Sequence, residues 1–350
     1  MPTFRTAQVT EILSERPGLQ RLRVRMPDGG DARAYGLTQL TGECAVGDPV
    51  VVNTTAVELG LGTGGWHFVH WNLSLEELVS PGPEHIMKLR YTSLQFDAGT
   101  DELTHPESDD PLDGTPVLVC SVHSQVATAA VAFAAAAPGK RLVYVMTDGA
   151  SLPLAMSDLV HGLRERGILA GTVTAGHAFG GDLEAVTVAS ALGLARHTLG
   201  ADAIVVGMGP GVVGTGTRLG TTAIEVAPLL DTVAARGGTP VMCVRASDGD
   251  PRGRHQGISH HSLTSATMTS SRPWVAPVPA DAAELPGVRV AEELDVPDAA
   301  GLLDAVDLRV TTMGRTVDQD PLFFAAAAAA GTLTARLLGE GSSSTPPAGP

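Results

Sequence analysis

Two histidines and one aspartate stand where the chain could carry out acid–base chemistry. His123, Asp148 and His177 each follow a different apolar run that predicts a buried strand. An imidazole titrates near neutral pH and can therefore transfer protons, and a carboxylate can orient the ring. We predict His123 or His177 as the catalytic acid or base, with Asp148 orienting it or binding a metal.

A divalent metal is an alternative use of these positions. The candidate ligands are His123, His177 and Asp182, with Asp148 and His260 or His261 as further members. No close spacing such as HExxH occurs, so each ligand would have to come from a different loop. The pattern therefore favours acid–base use of one histidine over metal binding, and solvated loop histidines are the alternative without chemistry.

Glycines cluster in the stretch VVGMGPGVVGTGTRLGTT, residues 205–222, between a strand-like run and a helix-like pattern. Glycine is favoured where the backbone needs positive φ or must closely approach a ligand. A helix N-terminus after such a loop presents free N–H groups and the positive end of the helix dipole to an anion. A tight turn of small residues is the structural alternative. The residues predicted to bind an anionic ligand here are Gly209, Gly211, Gly214, Thr215, Gly216, Thr217 and Arg218.

Residues 209–214, GPGVVG, match the G-x-G-x-x-G pattern of dinucleotide sites. They follow the fourth strand-like run of their region rather than the first, so the context that this motif needs is absent. Lys88 and Lys140 are the only lysines in the chain, which disfavours a P-loop and Schiff-base chemistry.

A second candidate binding segment is basic on an acidic background. Residues 245–272 contain four arginines and two aspartates, whereas the whole chain carries a formal net charge of −15. Such a patch suits a small anion, although ion pairing with acidic residues elsewhere is an equally direct use of the arginines. The residues predicted to bind the ligand from this segment are Arg252, Arg254, His260 and His261.

The elements that must position these residues fall into two regions. Residues 1–75 alternate apolar and polar side chains in short runs separated by glycine turns, which predicts a small all-β, barrel-like domain. Residues 76–116 are a connector rich in proline and acidic residues. Residues 117–338 form an α/β domain, and residues 339–350, GEGSSSTPPAGP, are predicted to be a disordered tail.

The α/β domain alternates continuous apolar runs with alanine-rich helical stretches. This alternation predicts an open, mostly parallel sheet with helices on both faces, and ligands bind such sheets beyond the carboxyl ends of the strands. The predicted strands are 117–122, 142–146, 168–175, 203–208, 241–244 and 308–312, and the predicted helices are 126–137, 154–166, 183–195, 223–236 and 321–338. Asp182 is predicted to cap the third helix, and Thr222 with Glu225 is predicted to form a capping box on the fourth.

Composition limits the partners and the compartment. A chain this acidic lacks the basic surface that nucleic acids and anionic membranes require. The N-terminus has no hydrophobic signal core, and the sequence contains no uninterrupted apolar run long enough to cross a membrane. The three cysteines lie far apart in the sequence, as is typical of buried thiols in a reducing compartment. We therefore predict a cytoplasmic protein.

Three stretches carry a resemblance to a known family: GHAFGGDLEAV (176–186), MGPGVVGTGTRLGTT (208–222) and RHQGISHHSLT (254–264). Together they resemble a family of uncharacterised bacterial proteins known only as a domain of unknown function. The resemblance covers residues 3 to about 338. It implies no activity, cofactor or catalytic residue, so the functional hypothesis depends on the residues themselves.

The residues favour an enzyme that acts on a small anionic metabolite, such as a phosphorylated one, by hydrolysis or group transfer. A non-catalytic ligand-binding or regulatory protein would use the same pocket. A third hypothesis is an assembly component, in which the glycine loop forms a subunit contact of a homo-oligomer. The substrate, the metal and the oligomeric state are left open by the sequence.

Overall fold

The structure is a computed structural model that describes residues 2–62, 64–83, 85–292 and 294–340. It divides into two units between Gly99 and Thr100, inside the predicted connector. Residues 341–350 of the predicted tail lie outside the described residues.

The first unit contains a closed five-stranded barrel. Its strands are β1 (Phe4–Arg16), β2 (Leu19–Arg25), β3 (Asp31–Gly36), β4 (Pro49–Asn53) and β5 (Trp66–Asn72). They join in the order β1-β2-β3-β5-β4, with β3 and β5 parallel and the other neighbours antiparallel. Alternate side chains such as Val24 and Val52 point into the barrel and are fully buried, which is why the period of two predicted it. The predicted all-β barrel is confirmed.

Short elements complete the first unit. They are α1 (Thr38–Thr41), α2 (Thr55–Glu58) and the antiparallel pair β6 (Met87–Lys88) and β7 (Phe96–Asp97).

The second unit is built on an eight-stranded sheet. Its strands are β8 (Pro116–Val119), β9 (Leu142–Thr147), β10 (Gly171–Ala175), β11 (Leu183–Ala185), β12 (Ala203–Met208), β13 (Thr239–Met242), β16 (Trp274–Val275) and β17 (Arg289–Val290). The spatial order is β11-β10-β9-β12-β8-β13-β16-β17, and every neighbouring pair is parallel. A separate antiparallel pair, β14 (Ala246–Ser247) and β15 (Gly257–Ile258), follows β13.

Helices cover both faces of this sheet, as predicted. The helices are α3 (His123–Ala136), α4 (Asp158–Glu165), α5 (Val188–Gly193), α6 (Val226–Ala235), α7 (His260–Met268), α8 (Ala299–Ala305) and α9 (Pro321–Glu340). Side chains of α3, α4, α8 and α9 share one apolar core, and those of α5, α6 and α7 share the other. Tyr144 and Met146 of β9 enter the first core, whereas Val143 and Val145 enter the second. The strands are therefore buried on both sides, which explains their continuous apolar sequences.

Two predicted elements are wrong. The stretch 183–195 is not one helix, because Leu183–Ala185 pairs with β10 as β11 and the helix begins only at Val188, capped by Thr187. Asp182 therefore caps nothing. The stretch 308–312 is not a strand of the sheet, because Val310 packs into the first core and the edge is formed by the two-residue strands β16 and β17.

The predicted capping box at Thr222 and Glu225 is also wrong. The helical segment that leads into α6 is capped by Thr221, whose hydroxyl accepts a hydrogen bond from the backbone N–H of Ala223 at 3.3 Å. The Glu225 carboxylate instead lies 2.9 and 3.0 Å from the hydroxyl of Thr147, at the end of β9. A tertiary hydrogen bond has replaced the local one.

Among the described residues, one helix is long and apolar enough to cross a membrane by length and composition. It is α9, with a mean hydropathy of 1.5 over Pro321–Gly339, and 67% of that span is buried within the protein. Its alanine face packs on α3, where Gly331 lies directly against the backbone of Ala129. In this structure α9 therefore acts as a core helix.

We predict that Gly331→Ala lowers the free energy of unfolding by about 1–2 kcal/mol. A Cβ at this position would collide with the Ala129 carbonyl, and overpacking costs ~1–3 kcal/mol, more than the ~1 kcal/mol by which alanine favours a helix. Thermal denaturation measures the change. Gly339→Ala on the same helix is the control, because open space surrounds Gly339 and no loss is expected. Equal stability of the two variants would contradict this packing argument.

Candidate functional site

The candidate site lies where neighbouring strands send their chains to opposite faces of the sheet. β9 leads to α4 in the first core, whereas the adjacent β12 leads to α6 in the second. β8 and β13 diverge in the same way, toward α3 and α7. Such divergence opens a crevice beyond the carboxyl ends of the strands, where ligands bind in this type of sheet.

A cavity of about 210 Å³ is present at this edge. The glycine loop after β12 lines one side of it through Val212, Val213, Gly214, Gly216 and Thr221. The segment after β13 lines the other side through Arg245, Arg252, Arg254, His255 and His261. The structure thus brings together two segments that the sequence predicts separately as ligand-binding.

The glycine loop is closed by its own hydrogen bonds. The N–H of Thr215 donates to the carbonyl of Gly220 at 2.7 Å, and the N–H of Gly220 donates to the hydroxyl of Thr217 at 3.1 Å. A Cβ at Gly220 would overlap the hydroxyls of Thr215 and Thr217, so a larger residue there would displace the two threonine side chains. Gly216 has a φ of +84°, which also favours glycine. The two threonine hydroxyls therefore fold the loop.

Arg218 stands on the exposed side of the glycine loop and does not line the cavity. Gly209 and Gly211 also lie outside the lining. A Cβ at Gly209 would come within 2.8 Å of the Ser151 carbonyl oxygen, which explains that glycine by packing. The loop therefore contributes a narrower set of residues to the cavity than the sequence predicts.

The arginines of the cavity are held by a buried carboxylate. Asp250 is fully buried and accepts hydrogen bonds from Nε and Nη2 of Arg252 at 2.9 and 2.7 Å, and from Arg315 at 3.2 Å. The hydrogen bonds from Arg252 hold the pKa of Asp250 well below its usual range. Arg245 adds a longer contact to Asp250 at 4.0 Å. Arg252 and Arg245 are therefore fixed without any ligand.

Positive charge is nevertheless in excess. Four arginines converge here, and the carboxylates paired with them are Asp250 and Asp320, the latter 2.9 Å from Arg315. Arg254 forms no ion pair within the described ranges, and its guanidinium carbon would lie 3.8 Å from a Cβ at Gly216. An unpaired guanidinium beside a glycine backbone is suited to an anionic group.

Three histidines form a tight cluster in the same segment. The ring centroids of His255 and His260 are 5.0 Å apart, and those of His260 and His261 are 4.4 Å apart. Burial and the neighbouring arginines lower the pKa of His255 to about 4 and that of His261 to about 3. The rings are therefore neutral at physiological pH. Nε2 of His260 is buried and has no hydrogen-bond partner among the described residues.

The cluster resembles a metal site in its spacing, because one ligand atom from each ring lies within 4.8 Å of the other two. Its chemistry fits a metal poorly. Nη1 of Arg245 donates to Nδ1 of His261 at 3.1 Å, so the neutral ring of His261 carries its proton on Nε2 and lacks a lone pair there. The surplus of arginines also repels a cation. The cluster is therefore better suited to donate hydrogen bonds to an anion.

His123 lies outside the cavity lining, although the sequence predicts it as catalytic. Its ring is buried, Nδ1 donates to the carbonyl of Met208 at 3.1 Å, and Nε2 accepts from the hydroxyl of Ser157 at 2.6 Å. Burial lowers its pKa to about 4. Because both ring nitrogens have protein partners, we assign His123 to the packing between β12 and α4.

Asp148 and His177 form a different cluster at the ends of β9 and β10. The backbone N–H of His177 donates to Asp148 at 2.9 Å, and Asp148 lies near Glu225. Burial, together with the charge of Asp148, raises the pKa of Glu225 to about 7. Neither Asp148 nor His177 lines the cavity.

Asp182 lies at the other end of β10. Its carboxylate accepts hydrogen bonds from the backbone N–H of Thr172 at 2.8 Å and from Arg164 at 3.0 Å. Thr172 is near the start of β10, whereas His177 follows its end. The predicted metal set of His123, His177 and Asp182 therefore does not come together.

Sequence reasoning missed Arg245 and His255 as site residues. Arg245 comes soon after β13, at the carboxyl edge where ligands bind, and its position was the available signal. His255 is part of the same histidine-rich segment as His260 and His261. Met313, which lines the cavity from a distant turn, gave no signal in the sequence.

A family model described as a protein of unknown function, DUF3866, matches residues 33–331. The chain belongs to the DUF3866 family. The predicted resemblance to a domain of unknown function is thus confirmed, and the match includes both walls of the cavity. No curated protein and no solved structure matches this DUF3866 protein.

We predict that Arg245→Met makes the DUF3866 protein bind Zn²⁺ at least tenfold more tightly than the wild type. The substitution removes a cation and frees Nδ1 of His261, while Arg252 and Arg315 still pair with Asp250. Competition with a chromophoric chelator measures the affinity. Arg218→Met is the control and should leave it unchanged. Stoichiometric, tight zinc in the wild type with no gain in Arg245→Met would show a metal centre instead.

Proposed function

We propose that this protein binds a small anion of the phosphate class in the cavity between the glycine loop and the segment after β13. The surplus of arginines over carboxylates around the cavity supports this proposal. A guanidinium forms strong, charge-assisted hydrogen bonds with phosphate oxygens. Of the functions that the sequence left open, ligand binding therefore has the most direct support.

Two arginines would hold the anion. Arg252 uses Nε and Nη2 for Asp250, and its Nη1 has no protein partner in the part of the chain that is described. Arg254 is exposed and lies beside Gly216 of the glycine loop. The cavity of about 210 Å³ suits a phosphate group with a modest substituent.

The histidines would respond to the anion. His255 and His261 line the cavity, where burial and the charges of Arg245 and Arg252 disfavour their protonation. A bound dianion reverses the sign of the local field and raises the pKa of His255, whereas His261 can take up a proton only if Nδ1 gives up its hydrogen bond from Arg245. Binding would therefore draw protons into the cluster.

Proton transfer to a bound ester is a second candidate function. It is favoured by the position of His255, which lines the cavity and would be protonated once a bound dianion raises its pKa. The protonated ring could transfer its proton to the leaving group in hydrolysis or group transfer. His255→Gln should then abolish turnover of phosphate esters while sulfate binding is retained, and a panel in which no ester is turned over by the wild type would leave ligand binding as the function.

A cytoplasmic location and a small-molecule partner are also proposals. The free cysteines Cys44, Cys120 and Cys243 are all buried, as is typical of a reducing cytoplasm. The acidic charge of the chain supports a small-molecule ligand over a nucleic acid or a membrane. A homo-oligomer stays a prediction.

We predict that Arg254→Ala weakens the binding of sulfate and inorganic phosphate by about tenfold to a hundredfold, the loss expected for one charge-assisted hydrogen bond. Isothermal titration calorimetry at low ionic strength measures the affinity. Arg218→Ala is the matched control, because it removes the same charge from the loop outside the cavity. If the two variants lost the same affinity, the effect would be explained by net charge alone, which would contradict the proposed binding site.

We also predict that sulfate binds more tightly as the pH falls from 8 to 5, with uptake of protons. In the free protein the lowered pKa values keep the histidines uncharged over most of this range, whereas the bound anion raises the pKa of His255, so the complex holds more protons. Sulfate remains a dianion throughout. Calorimetry in two buffers with different ionisation enthalpies counts the protons, and His177→Gln should not alter the count. Affinity that is independent of pH would contradict the role of the cluster.

A further inference from the structure

Two apolar side chains stand exposed at the mouth of the cavity. Val213 of the glycine loop is 63% exposed, and Met313 is 59% exposed, yet both line the opening to the arginines. Exposed apolar side chains are common on protein surfaces, but here they border a charged cavity.

The backbone at Met313 is unfavourable for a side chain. Met313 has a φ of +48° and Gly314 a φ of +81°, at the tip of a turn closed by two 2.9 Å hydrogen bonds between Thr312 and Arg315. Glycine would adopt this conformation without strain. The fold therefore does not require a methionine here, and the exposed side chain adds nothing to the core.

The turn is anchored to the same network as the arginines. Arg315 donates to Asp320 at 2.9 Å and to Asp250 at 3.2 Å, and Asp250 also holds Arg252. Met313 is thus held at a fixed position relative to the arginines of the cavity. A flexible, polarisable methionine is a common contact for apolar ligand groups of varied shape.

We propose that the ligand is a phosphate monoester with an apolar substituent, whose phosphate lies among the arginines and whose organic group lies between Val213 and Met313. This inference rests on the proposed anion site and names its ligand class. An alkyl or aryl group would be removed from water at the mouth, which adds affinity that inorganic phosphate lacks. A sugar or a second charged group would gain nothing from these two side chains.

The test compares inorganic phosphate with methyl, butyl, hexyl and phenyl phosphate by calorimetry. We expect the affinity to rise about two- to fourfold for each added methylene, the range for partial to full burial of a CH₂ group. Met313→Gly should remove most of this gain and leave the affinity for inorganic phosphate unchanged. The variant suits the positive φ, so its thermal stability should equal or exceed that of the wild type. Leu219→Ser, an exposed apolar position of the loop outside the cavity, is the control.

The outcomes separate the two proposals. If inorganic phosphate and sulfate do not bind, the anion site itself fails. A second outcome is that these anions bind but the esters bind no more tightly, or that Met313→Gly weakens the binding of all ligands equally. In that case the proposal of an apolar substituent is overturned, whereas the proposed anion site stands. Co-sedimentation with vesicles containing phosphatidic acid distinguishes a lipid source of the monoester from a soluble one, and either source satisfies the proposal.

Discussion

The buried carboxylate of Asp250 is the interaction on which the site depends. An isolated charge at a fully buried position would cost several kcal/mol, and the hydrogen bonds from Arg252 and Arg315 offset that cost. The same hydrogen bonds also fix the guanidinium groups of Arg252 and Arg315 before a ligand binds. Since the pKa of Asp250 is lowered on folding, this contribution is complete above the ordinary carboxyl range and is lost only in strong acid.

Arg245 and Arg252 influence the charge of the other groups that line the cavity. They disfavour protons on His255 and His261, and Arg245 occupies the lone pair of Nδ1 of His261. One charge distribution therefore favours anions over metal cations and keeps the imidazoles neutral. The spacing of the histidines alone would suggest a zinc centre, and only their neighbours argue against it.

Periodicity was sufficient to predict both folds, because a barrel buries alternate residues and a doubly covered parallel sheet buries all of them. It also placed Arg252, Arg254 and the glycine loop at one edge of the sheet. It could not show which way the ring of His123 points, since that direction is set by the carbonyl of Met208, distant in sequence. The two-residue edge strands and the Met313 turn were not predictable because they contain too few residues for any period.

The strand order has a consequence for synthesis of the chain. β8 is the first strand of the large sheet to be made, yet both of its neighbours, β12 and β13, come at least 80 residues later. Its helix, α3, is covered by α9, which ends the described chain. On the ribosome, β8 therefore waits unpaired until β12 has been made, and the face of α3 that α9 covers stays open until Pro321–Glu340 has been made. During that interval we expect chaperones to bind the exposed apolar surface of the second unit.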